Sequence, residues 1–185
     1  MDINIILKEA YDKWKDRDYI YQKKDGKFIA KTFKIFIEDV YSLASYLLDN
    51  NLKDEKIIIY GDNSYELMVS DIAVTGFVGI SVIVNKDLKE ESVIKMIKEI
   101  DAKAVIYDDN KKDIVQKVRE QCDVKYINMK NYKEILNKVE LFNLQTRDEN
   151  ICSKIVFSSG TTGPSKGIML SIKNIFSGYI FISCL

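Results

Sequence analysis

The residues best equipped for chemistry lie between Ile151 and Asn174, in the run ICSKIVFSSGTTGPSKGIMLSIKN: a β-prone stretch, small hydroxyl residues and glycines, a lysine, then a second apolar stretch. Gly160 and Gly163 permit backbone conformations with positive φ and let main-chain N–H groups come close to an anion. Ser158, Ser159, Thr161 and Thr162 add hydroxyl donors. Lys166 adds a compact, flexible cation able to follow phosphate oxygens that shift during a reaction, and Pro164 limits the freedom of the segment. Such a set suits a polyphosphate. A unit charge pair about 4 Å apart at an effective dielectric near 20 is worth about 4 kcal/mol, and a triphosphate presents several charges, so the lysine outweighs any single hydroxyl.

A common phosphate loop, Gly-x-x-x-x-Gly-Lys-Ser/Thr, nearly fits when counted from Gly160. It fails twice. Ser165 stands where the second glycine is needed, and Gly167 stands where a magnesium-binding hydroxyl should follow the lysine. Composition narrows the chemistry further. The chain has no histidine, so no imidazole can activate a serine or cysteine nucleophile or complete a zinc site. Cys122, Cys152 and Cys184 are widely spaced with no Cys-x-x-Cys pair, which fits a reducing, cytoplasmic setting and buried thiols without a chemical role. The 28 Lys and Arg residues balance 28 Asp and Glu, so no net field gathers nucleic acid or another polyanion.

Elements able to position the glycine-rich segment follow from periodicity. Phe36, Val40, Leu43, Ala44, Leu47 and Leu48 recur at helical spacing behind Thr32, predicting an amphipathic helix over 33–49. Before it, Asp25-Gly26 between Tyr19-Ile20-Tyr21 and Phe28-Ile29-Ala30 predicts a small antiparallel ribbon. From residue 56 onward β-branched runs (57–60, 82–84, 104–107 and 124–127) alternate with helical stretches, which argues for an α/β fold with a mostly parallel sheet flanked by helices. Residues 64–79 are apolar almost all round and predict a helix buried on more than one side. Residues 90–100 carry Val93, Ile94, Ile97 and Ile100 on one face and predict an outer helix, with Glu90 and Glu91 favouring its dipole. Asp108-Asp109-Asn110 reads as a turn that caps the next helix rather than a metal cluster, and Trp14 and the tyrosines read as core and interface aromatics.

Ser158-Ser159-Gly160-Thr161-Thr162-Gly163 followed by Lys166-Gly167 resembles the signature loop of the adenylate-forming (AMP-binding) superfamily, which includes acyl-CoA synthetases, luciferases and nonribosomal adenylation domains. Ile168-Met169-Leu170-Ser171 and Asn174 resemble its continuation, although Ile172 stands where the family often has a histidine. Gly61-Asp62-Asn63-Ser64-Tyr65-Glu66-Leu67 resembles the family's strand-to-helix turn, and the likeness runs from about Tyr11 to Leu185. Residues 85–150 match in layout more than in letters, and the usual proline near Val84 is absent.

The resemblance implies that residues 1–185 are the N-terminal part of an AMP-binding ligase domain, ending just after its phosphate-binding loop. It implies ATP with magnesium, a carboxylic acid and coenzyme A as the reactants of the intact enzyme, and ATP phosphates held by Ser158, Ser159, Gly160, Thr161, Thr162, Gly163, Lys166 and Gly167. The family's adenine-binding, magnesium-binding and catalytic-lysine segments lie downstream, so no catalytic or metal-binding residue is assigned and no ligase turnover is expected of the chain alone. The ribbon before the first predicted helix is similar to long-chain fatty acyl-CoA synthetases, which ranks a fatty acid above acetate or an amino acid. The alternative is a noncatalytic α/β module acting through association.

The N-terminus lacks the basic start and apolar stretch of a signal peptide. The apolar run 174–185, broken by Ser177, Gly178 and Ser183, is too short to span a bilayer; it reads as a core segment through which the chain could self-associate.

Overall fold

In a computed structural model, residues 2–24, 26–136, 139–157 and 166–175 are described. The chain opens with α1 (Ile3–Trp14), whose N-terminus is capped by the Asp2 carboxylate accepting from the Asn4 amide. It continues through the hairpin β1 (Asp18–Lys24) and β2 (Lys27–Thr32) into α2 (Phe33–Asp49). The alternating part follows as β3 (Lys56–Tyr60), α3 (Tyr65–Ala73), β4 (Ile80–Val84), α4 (Glu90–Ile100), β5 (Ala104–Tyr107), α5 (Lys112–Arg119), β6 (Lys125–Asn128) and α6 (Tyr132–Ile135). β7 (Cys152–Phe157) and β8 (Gly167–Ser171) end the sheet.

Six strands form one sheet in the order β6-β5-β3-β4-β7-β8, parallel throughout except for the antiparallel β7–β8 pair. The predicted mostly parallel sheet is therefore present, and β1–β2 is the separate antiparallel ribbon expected around residue 26. Asp25 itself lies outside the described residues. Central strands are buried on both faces, which is why they read as unbroken runs of Ile and Val. Ile57, Ile59, Ala104 and Ile106 face a core built with α1, α2, α3 and α6. Ile58, Val82, Val84, Val105 and Tyr107 face a second core built with α4 and α5.

The predicted helices over 33–49 and 90–100 form with those bounds. Thr32 caps the first, its hydroxyl accepting from the Ile35 amide. Val93, Ile94 and Ile97 of α4 are buried against the sheet as the spacing required. The stretch 64–79 differs from a single helix. After Ser64 caps α3 through the Leu67 amide, the α-helix stops at Ala73 and residues 74–78 form a π-helical turn. Gly76 sits under α1 there, where an added Cβ would lie 2.8 Å from the Ile3 Cδ1 atom. Helix α1 was not among the predicted elements. Asp108-Asp109-Asn110 is a turn leading into α5, but no side chain caps that helix; Asp109 instead reaches across to the next strand.

Cys122 is buried and Cys152 half-buried, both as free thiols; Cys184 and the run 176–185 lie outside the described residues. Among the described residues no helix is long and apolar enough to cross a membrane.

Candidate functional site

Strand order creates a natural crevice. After β3 the chain passes to one face of the sheet as α3, and after β4 it passes to the other face as α4, so the two carboxyl ends diverge and leave a gap between them. An open cleft of about 610 Å³ occupies that gap. It is lined by Gly61, Asp62 and Asn63 from the β3 end and by Val84, Asn85 and Lys86 from the β4 end.

Polar bonds between distant loops hold this end of the sheet in register. The Asp62 carboxylate accepts from Asn110 Nδ2 at 2.5 Å and pairs with Lys86 Nζ at 3.1 Å, so one side chain joins the segments that follow β3, β4 and β5. These two donors hold the Asp62 carboxyl below the usual carboxylate range, and the same bond to Asp62 raises the Lys86 ammonium above its ordinary value. As an exposed ion pair the bridge adds little stability; its effect is geometric. One step along, Asp109 accepts from Asn128 Nδ2 at 3.0 Å and Lys130 Nζ at 3.2 Å, tying the β5 end to the β6 end. Gly61 lets β3 and β5 converge here, because a Cβ on it would sit 2.8 Å from the Asp108 Cβ. Tyr60 adds a further tie, donating from Oη to the Leu88 carbonyl at 2.7 Å.

The glycine-rich segment departs from the same end. β7 lies parallel beside β4, pairing Ile83 with Val156, and stops at Phe157. Phe157 is in turn opposite Gly167, the first residue of β8. The chain thus leaves Phe157 on the strand beside β4, at the carboxyl edge of the sheet, and returns at Gly167 on the edge strand one place farther from the cleft. Ser158, Ser159, Gly160, Thr161, Thr162 and Gly163 lie outside the described residues. Lys166 is exposed where the chain enters β8, and Gly167 packs closely, since a Cβ there would meet Ile155 Cγ2 at 3.2 Å. Downstream, Asn174 Oδ1 accepts from the Ser171 amide at 3.1 Å and hydroxyl at 3.0 Å, closing the turn after β8.

Sequence reading missed Lys86, Asn85 and Asn110 as site residues. A usable signal existed: Asp62, Lys86 and Asn110 each stand two or three places beyond a strand, the positions that line a crevice at the carboxyl edge of a parallel sheet. Among the described residues no group of three or more His, Cys, Asp or Glu side chains could hold a metal ion.

The family model for AMP-binding enzymes matches residues 7–184. This chain belongs to the AMP-binding enzyme family. The long-chain-fatty-acid–CoA ligase ACSBG2 of Gallus gallus is 23% identical over 197 residues, covering 94% of this chain and 26% of that protein. Among solved structures, ATP-bound MatB from Rhodopseudomonas palustris superposes with a TM-score of 0.80 at 18% identity, covering 100% of this chain and 38% of that one. The N-terminal subdomain of Klebsiella oxytoca NpsA gives a TM-score of 0.73 at 20% identity, covering 93% of this chain and 42% of that one. The chain therefore has the N-terminal fold of adenylate-forming ligases and spans about a quarter of the length of the curated relatives it matches.

Proposed function

We propose that this AMP-binding family chain is the phosphate-gripping part of an ATP-dependent, AMP-forming acyl-CoA ligase acting on a fatty acid. In that reaction a substrate carboxylate attacks the α-phosphate of ATP, pyrophosphate departs, and the acyl group passes from the adenylate to the thiol of coenzyme A. Residues 158–167 would hold the departing β- and γ-phosphates. Glycine amides, the hydroxyls of Thr161 and Thr162 and the Lys166 ammonium would neutralise charge growing on the leaving group, without any covalent role. Magnesium would enter with the triphosphate.

One observation carries the reading: both ends of the glycine-rich segment are anchored at the carboxyl edge of the sheet, where α/β proteins bind their ligands, and the first of them is on β7, the strand paired with crevice-lining β4. The relative named for long-chain fatty acids supports that substrate class. Calorimetric titration of the chain with magnesium–ATP tests the grip. Saturable heat that disappears in Lys166→Ala is the expected result, and equal heats for both proteins would refute it.

A second reading, a noncatalytic module that associates through its surface, draws on the end of the sheet. Ile168 and Met169 of the edge strand β8 are 51% and 66% exposed, with Val156 beside them at 39%. Light scattering across a concentration series separates the two: a monomer that binds ATP favours the first, and a dimer indifferent to ATP favours the second.

A further inference from the structure

We propose that Phe157 is a positioning residue for Lys166: its ring, laid across Gly167, secures the strand pair from which the lysine is presented. This role presupposes that Lys166 meets phosphate, as proposed above, and it falls to a residue outside the glycine-rich pattern. Phe157 and Gly167 are the last pair of the β7–β8 ladder, and Lys166 is the next residue beyond that pair. β4 is paired with β7 only as far as Ile83 and Val156, so among the described residues Gly167 is the one strand partner of Phe157.

That last pair is weak by composition. Among the described residues β8 is an edge strand, held on one side alone, and its first residue is a glycine. Glycine in a strand offers no side chain to pack and loses more backbone freedom on ordering than any other residue. The ring of Phe157 supplies what glycine lacks. A Cβ on Gly167 would stand 3.4 and 3.6 Å from the Phe157 Cε1 and Cζ atoms and 3.2 Å from Ile155 Cγ2, so the space over the glycine is filled from β7. An aromatic ring covering a glycine of an edge strand pins the register of the pair.

Phe157 also packs on the core built with α4 and α5, where Ile155 is buried, so the pair takes its position from the closed part of the sheet. Lys166 depends on that position. Its four-carbon stem is flexible, and the reach of its ammonium is set by where its backbone is held. Core packing alone would be satisfied by another apolar side chain of similar size, whereas covering Gly167 needs a flat ring.

Calorimetric titration with magnesium–ATP, with a thermal melt of each variant, tests the role. Phe157→Leu keeps an apolar side chain for the core but no ring for Gly167; it is expected to bind about tenfold more weakly at a thermal midpoint within about 4 °C of wild type. Gly167→Ala, whose Cβ displaces the ring while Phe157 stays, should weaken binding likewise, and Phe157→Tyr, which keeps the ring, should bind close to wild type. Affinity should also fall less steeply with salt in Phe157→Leu than in wild type, because the ammonium stands farther from the phosphates, a change that a general loss of packing does not produce. Phe157→Leu binding like wild type, Phe157→Tyr binding as weakly as Phe157→Leu, or an unchanged salt slope would each overturn the role and leave the nucleotide reading intact. Wild-type protein that gives no saturable heat refutes the nucleotide reading and the role together.

Discussion

Gly79 makes the closest approach among the described glycines: a Cβ there would fall 2.1 Å from the Glu55 carbonyl oxygen, a backbone atom that can move only if the entry to β3 or β4 moves with it. Gly79→Ala is expected to destabilise the chain by about 2–3 kcal/mol, read from urea unfolding, whereas Gly26→Ala at the open hairpin turn carries only the smaller strain of a positive φ. Asp39 behaves differently. Burial raises its carboxyl above the ordinary value, although Tyr65 donates to it at 2.5 Å and Lys31 stands near. The folded state therefore prefers the protonated acid, and its contribution is fully present below the ordinary pKa of 3.8 and is lost as pH rises through the raised folded value. Asp39→Asn keeps an acceptor for Tyr65 and removes the ionisation, so thermal melts should show it at least as stable as wild type at pH 7, with the gap closing below pH 3.8. At this scale, caps such as Thr32 and Ser64 were readable because each acts on an amide three residues away. Asp62 was not readable as a tie, since its partners Lys86 and Asn110 come from other strand ends.

Between elements, two polar anchors do what apolar packing alone does not. Lys154 of β7 donates to Asp71 of α3 at 2.6 Å with both side chains largely buried, and Asp71 also accepts from Ser81 of β4 at 2.6 Å. Removing one partner leaves a charge with poor solvation, so Lys154→Met should cost about 2–4 kcal/mol, and a double-mutant cycle with Asp71→Asn should show strong coupling. Arg147 anchors the return from α6 to β7. Its side chain, 6% exposed, donates to the carbonyls of Gly79 and Cys152 and to Ser153 Oγ while pairing with Asp54, and its own amide donates to Gly76. A planar fork satisfies four acceptors where an ammonium cannot, so Arg147→Lys should fall short of wild-type stability nearly as far as Arg147→Ala. The anchors explain which elements could be read in advance. Helices over 33–49 and 90–100 display their pattern within one segment, but 74–78 forms a π-helical turn whose Gly76 lies against Ile3 of α1, and 139–151 is held by long-range contacts rather than by any periodicity: the Arg147 fork, Asn4 Nδ2 donating to the Leu144 carbonyl, and Phe142 against Tyr11 and Tyr41.

For the whole molecule, the issue is whether a chain covering 26% of a curated relative can carry out a reaction or only part of one. Its two cores are closed over β3, β4 and β5, so the sheet does not depend on further chain for its centre. Its margin is different: Val156, Ile168 and Met169 on β7 and β8 present apolar side chains to water next to the anchored ends of the glycine-rich segment. The proposed phosphate grip at that margin would hold the leaving group, but adenylyl transfer to a carboxylate also needs that carboxylate positioned in line with the α-phosphate, and that demands groups on the opposite side of the nucleotide. The described lining of the crevice offers one cation, Lys86, and it is already paired with Asp62. The purified chain is therefore expected to bind magnesium–ATP yet show no carboxylate-dependent exchange of labelled pyrophosphate into ATP. Exchange above the buffer rate that also fell in Lys166→Ala would show that 185 residues hold the acid as well as the phosphates, and would shift the boundary of the active unit to within this chain.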